Sequence, residues 1–128
     1  LKTLKNLTEA ELERLAELAA AEGRSCGEAA ASWFFDGNTP VEAYQRVLTG
    51  IEDGDPEILD ALPAPRLSGE WAGDPTPASL VEACGVKAED WEPDALSWLT
   101  DNLCDAWEDA CWSAVQTEVE RAAREALA

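Results

Sequence analysis

The sequence predicts an all-α fold, a compact bundle of five to six helices with a long C-terminal helix. Three observations predict it. Nothing alternates apolar and polar with period two for long enough to make a strand. Helix-starting and helix-stopping residues recur at short intervals. Beyond Pro93 no Gly or Pro interrupts the chain to its end. At 128 residues, with 46% hydrophobic residues and six Trp to hide, the chain suits a single domain over 1–128.

The elements follow in order. Thr8 and Glu11 form a capping box with Leu7 and Leu12 as its hydrophobic staple, which starts a first helix. That helix is expected to bury Leu12, Leu15, Ala19 and Leu18, and to stop at Gly23. Ser25 and Glu28 read as a second box, opening a short helix that carries Trp33 and Phe34 and ends at Gly37-Asn38. Thr39-Pro40-Val41-Glu42 is a third box with Pro at the first helical position. Its helix presents Ala43, Tyr44, Val47 and Leu48 and is expected to stop at Gly50. Asp55-Pro56 opens a brief helix bearing Ile58, Leu59 and Leu62. Pro63, Pro65 and Gly69 hold an irregular stretch around Leu67 and Trp71. Thr76-Pro77 begins another helix, closed by Gly85.

The long helix from Pro93 has two faces at 100° per residue. Leu96, Leu99, Leu103, Ala106, Trp107, Ala110 and Ala114 share the face expected to meet the core. Opposite lie Asp94, Trp98, Asp101, Asp105, Glu108, Asp109 and Trp112. Beyond Ala114 the apolar stripe moves to Val115, Val119, Ala122 and Ala126, which predicts a bend or a different neighbour there, such as a second subunit.

Charge narrows the function classes. Asp and Glu number 27 against 9 Lys and Arg, a net charge of −18. From Ser25 to Glu120 there are 21 acids against Arg46, Arg66 and Lys87 alone. A chain so charged repels phosphate, which argues against direct nucleic-acid binding and against an anionic membrane. A basic protein surface is the natural complement. Salt adaptation would also produce acidity, but would spread it over every helix, whereas the two ends of this chain are nearly balanced.

Chemistry is sparsely provided. The chain has no His, no CxxC, no nucleophile motif and no Gly-rich phosphate loop, so neither an enzyme, a cofactor nor a structural metal is expected. Cys104 and Cys111, seven apart on one helix, stand roughly 10 Å apart and cannot pair. Cys26, Cys84, Cys104 and Cys111 are therefore expected as buried thiols of a reducing cytoplasm. No stretch has the ~18 apolar residues of a membrane span, and no signal-peptide pattern opens the chain. The segment from Glu52 to Glu57 superficially suggests a calcium loop, but its ligands are out of register and Pro56 interrupts it.

The acidic face of the long helix is the candidate site. Aligned like charges at i,i+4 cost a helix about 0.2–0.5 kcal/mol a pair, so a sequence that carries them gains solubility or a partner. Asp101, Asp105 and Glu108/Asp109 repeat about once per turn, below the charge density of a DNA duplex, which offers a phosphate per ~3.4 Å on each strand. Glu52, Asp53, Asp55, Glu57 and Asp60 are expected to supply a second acidic element. Trp98 and Trp112, set among these carboxylates, are candidate contact residues that could face Arg or Lys.

In size, acidity and helical build the chain resembles the small phage- and plasmid-borne inhibitors of host defence, the anti-CRISPR and anti-restriction DNA mimics. The segments Phe34-Phe35-Asp36-Gly37-Asn38-Thr39-Pro40 and Leu67-Ser68-Gly69-Glu70-Trp71 also look like those of mobile-element proteins from high-GC genomes. The resemblance is one of character, without a diagnostic motif, and carries over no individual residue. It implies occupation of a basic nucleic-acid channel in the host cytoplasm, so that a nuclease or surveillance complex cannot engage DNA. The alternative is an interaction or assembly module, a homodimer through the Val115–Ala126 stripe, with acidity reflecting salt adaptation.

Overall fold

A computed structural model describes residues 1–59 and 76–128. The expectations for Asp60, Leu62, Pro63, Pro65, Leu67, Gly69 and Trp71 lie outside the described residues. The chain is all-α. Among the described residues five α-helices occur, α1 (Glu9–Ala30), α2 (Pro40–Asp53), α3 (Pro56–Leu59), α4 (Pro77–Ala83) and α5 (Pro93–Leu127), with short 3₁₀ turns at Leu4–Asn6, Ala31–Phe35 and Ala88–Asp90. Among the described residues one parallel bridge occurs, between Lys2 and Trp91.

The chain forms two compact units. One comprises Leu1–Gly23 and Pro63–Asp109, the other Arg24–Leu62 and Ala110–Ala128, so α1 and α5 each contribute to both. In the first unit Leu15, Ala19, Leu80, Leu99, Leu103 and Trp107 form the core, each at 4% exposure or less. In the second, Val47, Ile58, Cys111, Val115 and Val119 do so.

The starts of the helices follow local chemistry. The Thr8 hydroxyl accepts the Glu11 N–H at 3.1 Å. Thr39 and Glu42 satisfy each other's backbone N–H, with Pro40 in the first turn. Thr76 and Ser79 form a further box ahead of α4. The Asp55 carboxylate accepts the Glu57 N–H at 3.1 Å and so caps α3.

Two expected stops are not stops. Gly23 lies inside α1, which continues to Ala30, and the Ser25/Glu28 pair is therefore helical interior and not a cap. A Cβ on Gly23 would overlap the Trp107 carbonyl of α5, and one on Gly27 would overlap the Cys111 carbonyl and stand 2.8 Å from the Ala114 Cβ. These glycines permit backbone-to-backbone approach. Gly50 is likewise buried inside α2, pressed on Ile58, and the helix ends at Gly54 in the left-handed region (φ +65°). Gly37 and Gly85, with φ of +73° and +84°, are true chain reversals where the sequence places them. The helix expected to carry Trp33 and Phe34 is instead the 3₁₀ turn, with Phe34 buried and Trp33 48% exposed.

Along α5 the apolar face is placed as expected. Leu99, Leu103, Trp107 and Ala114 are buried, and Leu96, Ala106 and Ala110 half-buried. In the last third Val115 and Val119 are fully buried, Ala123 is buried, Ala122 is half-buried and Ala126 is exposed. Val115 and Val119 are thus consumed by the second unit's own core, and the surface that a dimer through the Val115–Ala126 stripe would need is absent from them.

Candidate acidic interface

Helix geometry sets the site. Rising about 1.5 Å per residue, α5 carries Asp94 to Asp109 over roughly 22 Å of axis, and at 100° per residue their side chains leave within one sector. Asp94, Asp101, Asp105 and Asp109 are exposed, with Glu108 half-buried. Trp98 sits in the same sector at 41% exposure, and its carbonyl accepts the Asn102 side-chain N–H at 2.8 Å. The part of this sector that belongs to the first unit therefore combines carboxylates with one exposed indole. Trp112, one turn beyond Asp109 and in the second unit, is half-buried, so its indole is a lesser contact surface than the sequence suggests.

The local sequence carries charge of one sign. From Ala88 to Glu120 the chain contains no Lys or Arg. Among the described residues, no ion pair engages Asp94, Asp101 or Asp109. The helix N-terminus, with Asp94 in its first turn, is the one place where the macrodipole welcomes a negative charge. Farther along, like charges at i,i+4 such as Asp101/Asp105 repel each other, and the burial of the helix's other face offsets that repulsion.

The second acidic element divides. Glu52 and Asp53 are exposed in the last turn of α2, where the helix dipole disfavours them. Asp55 is half-buried and spent on capping, and the Glu57 carboxylate lies 4.0 Å from Arg46. Two of the four therefore serve their own chain first. They do not form a calcium loop, since Gly54 is a helix cap and Asp55 turns back to the α3 backbone. Among the described residues no group of three or more Cys, Asp and Glu side chains is arranged to hold a metal ion.

None of the four cysteines is in a disulfide; Cys84, Cys104 and Cys111 are buried and Cys26 half-buried. Burial pushes the Cys84 thiol up, reinforced by Glu22 and opposed by Arg14. That is the reverse of the depressed pKa of a reactive cysteine. Among the described residues no helix is long and apolar enough to cross a membrane.

No protein-family model matches the chain, and neither a curated protein nor a solved structure matches it.

Proposed function

We propose that this protein is an acidic inhibitor whose α5 face occupies the Lys/Arg-lined, nucleic-acid-binding surface of a host defence nuclease or CRISPR surveillance complex, and so blocks DNA engagement by mimicry. The observation that supports this reading is the exposed row Asp94, Asp101, Asp105 and Asp109, with Trp98 among them, in a stretch of 33 residues without a single Lys or Arg. Carboxylates fixed on a helix present their charge without first being ordered, which lowers the cost of association. The same field steers a basic partner inward and raises the association rate. Trp98 offers an indole face to an incoming guanidinium, which slows release.

Competition is the mechanism: protein and DNA claim the same cations. The test is a pull-down from host lysate at low salt, with salt-graded elution, identification of the eluate and challenge by duplex DNA. The expected result is a nucleic-acid-processing complex that leaves the protein as salt rises from about 0.05 to 0.5 M and that duplex DNA displaces. An affinity unchanged across that range, or a complex indifferent to DNA, would sink the reading.

A further inference from the structure

We propose that the cleft framed by Lys2, Arg14 and Lys87 in the first unit is a binding site for a small polyvalent oxyanion of the phosphate class. Three of the chain's nine Lys and Arg residues line this one cavity of about 200 Å³. They come from distant parts of the sequence, and each is positioned by a separate feature of the fold.

Lys2 is held by its backbone on both sides: its N–H donates to the Asp90 carbonyl at 2.7 Å, and its carbonyl accepts the Glu92 N–H at 2.8 Å. Its ammonium stands 5.5 Å from the centre of the Trp91 ring. Trp91 is only 8% exposed, so that ring is a fixed wall. Lys87 follows the reversal at Gly85, whose φ of +84° turns the chain out of α4. Arg14 projects from α1 beside the buried Leu15.

Glu11 and Asp90 also line the cleft, yet among the described residues no ion pair engages Lys2, Arg14 or Lys87. In a chain with threefold more acids than bases, three cations that line one cleft without closing on a carboxylate are placed to receive an anion from outside. The guanidinium fork and two ammonium groups supply many donors, and a phosphate supplies several acceptor oxygens to match them. At physiological ionic strength charges farther than about 8 Å are largely screened, so the chain's distant carboxylates matter little and the local field is set by the three lining cations against the two lining carboxylates, Glu11 and Asp90. The volume lies below the roughly 300–1,000 Å³ of sites that enclose drug-sized molecules, which selects phosphate or pyrophosphate over a nucleotide.

The site uses none of the α5 acids and stands or falls apart from the proposed inhibition. The experiment is a ¹⁵N–¹H NMR titration of the full chain with inorganic phosphate and with pyrophosphate, against acetate at matched ionic strength. The expected result is a saturable shift of the Trp91 indole N–H, assigned by Trp91→Phe, with a Kd of about 1 mM or tighter. Arg14→Gln combined with Lys87→Gln should weaken it about tenfold or more, while Lys5→Gln, an exposed lysine outside the cleft, leaves it unchanged. Because Arg14 and Lys87 are exposed, the rest of the spectrum should stay in place. An equal response to acetate, no saturable shift, or a double variant that binds like the unaltered chain would overturn the proposal.

Discussion

Two lengths of α5 treat their acids in opposite ways. Near the C-terminus Glu118, Glu120 and Glu125 meet Arg121 and Arg124: Arg121 bonds Glu118 and lies 3.7 Å from Glu125, and Arg124 bonds Glu120 at 2.6 Å. The hydrogen bond from Arg121 to Glu118, with the charges of Glu118 and Glu125, raises the guanidinium's hold on its proton. Between Asp94 and Asp109 the same helix bears five acids and no base. The first arrangement is an ordinary solvated surface, neutralised by its own neighbours. The second has no cation on its own helix beside it, and magnitudes explain why the helix tolerates it. Repulsion at Asp101/Asp105 and Asp105/Asp109 costs about 0.2–0.5 kcal/mol a pair. Full burial of a side chain such as Leu99 or Leu103 on the opposite face contributes about 1.5–3 kcal/mol. An acidic helix face therefore has to be read together with what its other face buries.

The contrast can be broken most directly by reversing charge in the early length. Asp101→Lys, Asp105→Lys and Asp109→Lys together should weaken binding to the basic partner by about 100-fold or more, while the circular dichroism of the helices stays as it was. Unchanged affinity would mean that the field of this face has no recipient.

A second measurement asks how firmly the early length is held against α1. Gly23→Ala forces a Cβ against the Trp107 backbone and should destabilise the chain by about 1–3 kcal/mol in urea unfolding. Gly37→Ala meets no neighbour within 4 Å and strains only its own backbone, so it should cost less, about 1 kcal/mol. Equal costs would show that the α1–α5 contact at Gly23 is not tight.

The smallest effect belongs to the self-neutralised length. Glu118→Lys with Glu120→Lys changes the net charge by four, yet should alter partner affinity by no more than about twofold, because those carboxylates are already engaged. A loss comparable to that of the triple reversal would show that total charge, and not the relief on early α5, governs binding.

Legibility followed locality. The N-cap at Thr8, the box at Thr39, the Pro-led starts and the two faces of α5 could be read directly, because a cap involves residues three apart and a helix fixes angular position by count alone. The glycines could not be sorted the same way. Gly54 and Gly85 terminate helices by adopting positive φ, whereas Gly23 and Gly50 are there for what lies against them, and the same letter serves both needs. Trp33 and Phe34 posed a related problem, since the 3₁₀ turn that holds them buries Phe34 and leaves Trp33 exposed, and nothing local says which of the two goes inward.

The sequence by itself determined the all-helical class, the long uninterrupted α5 and the sector on which its carboxylates stand, since each follows from periodicity and short-range hydrogen bonding. Only the tertiary structure decided that Trp98 is exposed while Trp112 is half covered, that Asp55 turns inward to cap α3, and that Val115 and Val119 fill a core. It alone brought Lys2, Arg14 and Lys87 to one cleft. Those outcomes depend on which surfaces meet across many residues of chain, and a contact between distant segments leaves no periodic mark on either of them.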